Sequence, residues 1–80
     1  MEGNELAHRL AYIGMVKHAR ELALKDKLAT AEELAIMTIE EVCDLIVGKY
    51  EVAMCESECI LLIPKNSMKE FNKMAVYIER

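Results

Sequence analysis

The sequence predicts an α+β domain, mostly helical with one β-hairpin, and three observations carry that prediction. A helix-spaced apolar stripe runs through Ile39, Val42, Cys43, Ile46 and Val47. Two strand-like runs follow, over 50–55 and 59–63, separated by Glu56, Ser57 and Glu58. Three capping-box pairs, Thr30 with Glu33, Thr38 with Glu41 and Ser67 with Glu70, mark helix starts. The element order is therefore α-α-α-β-β-α, in a single compact domain spanning 1–80.

Asn4 suits an N-cap, and Glu5 in the first turn complements the helix dipole. From there to about Asp26 only Gly14 interrupts a helical pattern, at a cost of roughly 1 kcal/mol relative to alanine. Leu6, Leu10 and Ile13 form an apolar edge, with Ala7, Ala11 and Gly14 beside it and Arg9, Arg20 and Lys27 opposite. Small residues let another backbone approach, so Ala7, Ala11 and Gly14 are the expected dimer contact, and Gly14 is read as a close-packing position.

Thr30 opens a short helix to about Met37 that buries Leu34, and Thr38 opens the next. The apolar stripe changes phase between them, which favours two helices over one continuous helix from 31 to 47. Gly48 is the expected C-cap. Tyr50, Val52 and Met54 alternate with Glu51, Ala53 and Cys55, and Cys59 to Ile63 is apolar. With Glu56–Glu58 as the loop, Cys55 and Cys59 should face each other across the hairpin. Pro64 ends the second strand, and a last helix runs from Ser67 towards Arg80, burying Met68, Phe71, Ala75 and Ile78. The expected core is Leu10, Ile13, Leu34, Ile39, Val42, Ile46, Val52, Leu61, Phe71 and Ile78.

Composition narrows the function. A core of eighty residues supplies only about 3–5 kcal/mol, yet 54% of the residues are hydrophobic, against roughly 45–50% apolar in ordinary domains. Six methionines add adaptable surface. The surplus is expected to be buried against another chain, as a homodimer or with a protein partner. Three cysteines do not make a closed disulfide framework, and nothing suggests export or a membrane span, so the expected setting is cytoplasmic.

No catalytic constellation can be placed, and no cofactor is expected. A zinc site from Cys43, Cys55, Cys59 and either His8 or His18 is conceivable, but the ligand spacing offers no second pair and no metal is expected. His8 and His18 are too far apart for a helical clamp.

The element order resembles that of winged-helix domains, a resemblance of order alone. It implies that the start of the helix after Thr38 meets DNA bases. Thr38, Ile39, Glu40 and Glu41 stand there, and carboxylates near phosphates are repelled. The chain carries ten basic and fourteen acidic residues, for a net charge of −4. An alternative nucleic-acid-binding reading uses Lys17, Arg20 and Lys27. The favoured expectation is a small non-enzymatic regulator or inhibitor acting by protein contact, of the size and charge common among such proteins carried by mobile elements. Its partner-binding residues would be Glu40, Glu41, Asp44, Glu56 and Glu58, facing a basic surface.

Overall fold

Four helices precede a three-stranded antiparallel sheet in the computed structural model, which describes residues 2–56, 59–65 and 76–79. The helices are α1 (Gly3–Ile13), α2 (Val16–Lys25), α3 (Ala31–Ile36) and α4 (Ile39–Lys49). The strands are β1 (Tyr50–Cys55), β2 (Cys59–Pro64) and β3 (Val76–Glu79), in spatial order β1-β2-β3.

The first helix of the sequence reading is two helices. Gly14 does not sit in mid-helix; it takes a left-handed conformation, φ 74°, and ends α1. Its N–H donates to the Ala11 carbonyl at 3.2 Å and the Met15 N–H to that of Leu10 at 2.9 Å. This pair of bonds is a Schellman motif, which satisfies carbonyls that the helix end would otherwise orphan. A Cβ at Gly14 would meet nothing within 4 Å, so the close-packing explanation for this glycine is replaced by a conformational one. The end of α2 repeats the device with Lys27, φ 57°, in the left-handed position. Lys27 N–H donates to Leu24 at 3.1 Å and Leu28 N–H to Ala23 at 2.9 Å.

Both internal capping boxes form. Thr30 Oγ1 accepts from the Glu33 N–H while Glu33 Oε1 accepts from the Thr30 N–H, and Thr38 and Glu41 reciprocate in the same way. Residues 31–47 are therefore two helices joined through Met37 and Thr38. Gly48 does not cap α4; the helix continues to Lys49 and passes straight into β1, with Tyr50 as its C-cap.

Helix α4 is central: its Val42, Cys43 and Ile46 are fully buried, and it packs on both α1 and α2. Around it the core takes in Leu6, Leu10 and Ile13 of α1, Ala19, Leu22 and Ala23 of α2, and Ile60, Leu62 and Ile78 of the sheet. Leu10, Ile13, Leu34, Val42, Ile46 and Ile78 are buried as the periodicity implies, while Ile39 and Val52 pack against the core half-buried. Leu61 is not a core residue. Its neighbours Ile60 and Leu62 point inward, so it lies on the outer face of the sheet.

The hairpin register also departs from simple alternation. Tyr50 pairs with Pro64, Glu51 with Ile63 and Val52 with Leu62, but then Met54 pairs with Leu61 and Cys55 with Ile60. Ala53 is the extra residue of a β-bulge. Cys55 therefore joins the inner face opposite Ile60, and Cys59 lies on the outer face, so the two cysteines are not cross-strand partners.

Val76–Glu79 is a strand, not the end of a helix. Val76, Tyr77 and Ile78 are β-branched or aromatic, and Ile78 pairs with Ile60 on the core side. The start of the helix expected from Ser67, with Met68, Glu70, Phe71 and Ala75, lies outside the described residues. The architecture is a mostly helical α+β fold, and among the described residues four helices and three strands stand where the expected order had three helices and two strands before its last helix.

Candidate protein-docking surface

One face of the sheet covers the helical core, and the opposite face carries apolar side chains too. Strand pairing sets Met54, Leu61 and Tyr77 in one row across all three strands, with Ile63 beside it on β2. Paired residues share a face and their strand neighbours take the other. The buried Leu62 and Ile60 thus assign this row to the outer face. Tyr77 is 58% exposed, while Met54, Leu61 and Ile63 are half-buried. Two exposed carboxylates border the row, Glu51 on β1 and Glu56 just past its end. Glu51 pairs with Ile63, and the Glu56 N–H donates to the Cys59 carbonyl at 2.8 Å. An aromatic and aliphatic centre with an acidic margin can dock a partner whose contact surface is apolar with basic groups at its edge.

The acidic residues singled out from sequence do not act as one group. Glu40 is exposed in the first turn of α4. Glu41 is exposed but occupied, since its carboxylate caps α4 and the Thr38 backbone and hydroxyl hold its pKa below the ordinary value. Asp44 lies against Gly3, at the start of α1. Glu58 lies outside the described residues.

The cations divide similarly. Lys17 and Lys27 are exposed. Arg20 is half-buried, and its guanidinium donates to the carbonyls of Leu34 at 2.6 Å and Met37 at 3.0 Å. Of the small residues, Ala7 is buried in the chain's own core, whereas Ala11 and Gly14 are exposed. Any self-association along that stripe rests on the latter two and their exposed neighbour Tyr12.

Cys43 is fully buried, and burial, followed by the charges of Asp44 and Glu40, pushes its thiol up to about 11, so it stays protonated at neutral pH. His8 is exposed, and His18 is half-buried with an enclosed Nδ1 that has no hydrogen-bond partner among the described residues. Among the described residues no three His, Cys, Asp or Glu side chains are grouped to hold a metal ion. No helix among them is long and apolar enough to cross a membrane.

Sequence reasoning missed the outer apolar row, although its signal was present. Cys59 to Ile63 contains no polar residue, and such a run marks a strand with apolar side chains on both faces. No protein-family model matches the chain, and no curated protein and no solved structure is significantly similar to it.

Proposed function

We propose that this chain is a small non-enzymatic regulatory or inhibitory module of the cytoplasm that acts by protein–protein contact. The Met54–Leu61–Tyr77 row with its Glu51 and Glu56 margin supports the reading best, because an exposed aromatic, here Tyr77 at the end of the row on β3, is a usual anchor of an interface. Glu40 extends the acidic surface at the start of α4. The apolar surplus of so small a chain favours a homodimer as its resting state, with Ala11 and Tyr12 offering a contact on α1.

The α3–α4 pair, joined through Met37 and Thr38, supports a second reading as a divergent winged-helix nucleic-acid-binding regulator. Lys17 and Lys27 would contact phosphate in that case, without Arg20, whose guanidinium is engaged.

Affinity capture with nuclease treatment, beside a salt-titrated DNA-binding assay, separates the two. A docking module retains its partner after nuclease and loses it on Tyr77→Ser with Leu61→Ser, while Glu51→Lys with Glu56→Lys slows association. Salt-steep DNA binding that flattens on replacing Lys17 and Lys27, with no protein recovered, refutes the proposal.

A further inference from the structure

The β-bulge at Ala53 takes Cys55 and Cys59 out of register with each other. Continued without interruption, the register of Tyr50 with Pro64, Glu51 with Ile63 and Val52 with Leu62 sets Ala53 opposite Leu61, Met54 opposite Ile60 and Cys55 opposite Cys59. The bulge shifts the pairing by one residue, and a one-residue shift moves every side chain beyond it to the other face.

We propose that Cys55 and Cys59 form a disulfide site gated by this bulge: oxidation by a small-molecule disulfide removes the bulge and locks β1 and β2 into the uninterrupted register. The strand residues that must change faces are Met54 and Cys55, neither of them charged and neither fully buried, while Glu56 gives up its N–H bond to the Cys59 carbonyl and passes into the loop. Glu51 lies before the bulge and keeps its place. Met54 and Cys55, both half-buried, exchange faces, so the slip empties no fully packed position. Directly opposed residues in an antiparallel pair bring their Cα atoms to about 4.5–5.5 Å, within the range of about 4.4–6.8 Å that a disulfide spans. In the bulged register the two Cβ atoms point from opposite faces, and no bond between them can close.

The chemistry is thiol–disulfide exchange. The Cys59 thiolate, on the outer face, attacks one sulfur of the small disulfide; the S–S bond breaks and one small thiol departs with a proton. The Cys55 thiolate then attacks the Cys59 sulfur of the mixed disulfide and expels the second small thiol. The protein has lost two hydrogens and the oxidant has become two thiols. The step withdraws Met54 from the outer row and puts the disulfide on that face, which alters the surface offered beside Leu61 and Tyr77. This consequence bears on the docking proposal above, but the disulfide itself does not depend on it.

The test uses the whole chain with oxidised glutathione. Peptide mapping should find an intramolecular Cys55–Cys59 bond, with the mass loss of two hydrogens, and Cys43 untouched. In cross-strand NMR contacts the oxidised protein should pair Met54 with Ile60, where the reduced protein pairs Cys55 with Ile60. Deleting Ala53 makes the strand regular in the present register and should abolish the intramolecular bond. Only mixed or intermolecular disulfides in the wild type, an unchanged Cys55–Ile60 pairing in the oxidised protein, or equal oxidation of the deletion variant in its folded form would each overturn the proposal. Should the deletion variant not fold, the wild-type NMR contacts decide alone.

Discussion

The guanidinium of Arg20, on α2, donates a hydrogen bond to the carbonyl oxygen of Leu34, on α3, at 2.6 Å. The second arm of the same fork reaches Met37 at 3.0 Å. Helix α3 has six residues, too few to stand on its own hydrogen bonds. Its start is held by the Thr30–Glu33 box and its end by this arginine, which satisfies carbonyls that the helix leaves orphaned.

Arg20→Met keeps an apolar stem but removes both bonds. Hydrogen bonds to charged groups contribute about 1.5–3 kcal/mol each, and half-burial puts the combined loss here near the lower part of that range. Urea denaturation should show the loss, and Arg20→Lys should recover only part of it because an ammonium cannot fork. Full recovery by lysine would show that charge alone suffices.

Gly3 is a close-approach position. A Cβ there would stand 2.7 Å from the Asp44 backbone nitrogen and would collide with the Asp44 carboxylate. Gly3→Ala should therefore destabilise by roughly 1–3 kcal/mol, the usual cost of overpacking. Adding Asp44→Ala should relieve the side-chain clash but leave the backbone one. A melting temperature for Gly3→Ala equal to that of the wild type would contradict the contact.

The two Schellman turns predict opposite signs for two substitutions. Gly14→Ala places a Cβ at φ 74° and should cost about 1 kcal/mol, although the surrounding space is open. Lys27→Gly relieves the same strain at φ 57° and should stabilise by up to about 1 kcal/mol. Thermal melts of the two variants moving in the same direction would refute the shared motif.

Tyr50 gives a pH dependence. Burial, and then the hydrogen bond its hydroxyl donates to Asp26 Oδ2, push the phenol up to about 12. An unfolded tyrosine ionises near about 10. The folded state holds the proton longer, so the contribution is complete below pH about 10 and disappears as the pH climbs through about 12. Denaturation across that window should show wild-type stability converging on that of Tyr50→Phe. A constant difference between the two proteins would exclude the coupling.

Much of this fold could be read from residue order, and what escaped has definite causes. The capping boxes at Thr30 and Thr38 are local chemistry, and both helix starts stand where they mark them. Gly14 was misread because a glycine amid helix-formers fits either a tight contact or a left-handed stop; the following Met15, buried at 8% exposure, is the tertiary contact that chooses the stop. The bulge at Ala53 leaves no mark in an alternating sequence, since it depends on which face of Met54 and Cys55 the partner strand accepts. Ile78 lies at helical spacing from Phe71 and Ala75, but pairing with Ile60 places it in a strand. Of the acidic candidates, Glu40, Glu41, Asp44 and Glu56 all stand exposed, but Glu41 caps α4 and Asp44 lies against Gly3, which no charge pattern reveals.

Helix α4 meets β1 at Lys49 and Tyr50 with no residue between them. The Lys65 N–H bonds the Lys49 carbonyl at 3.0 Å and closes the same corner from the other side. This joint makes the domain intolerant of length change at its centre. One residue gained or lost there would turn β1 over, sending Tyr50 and Val52 to solvent and Glu51 into the helices. Among descendants of this chain, substitutions can accumulate along β1, but insertions and deletions at its first residue should be purged.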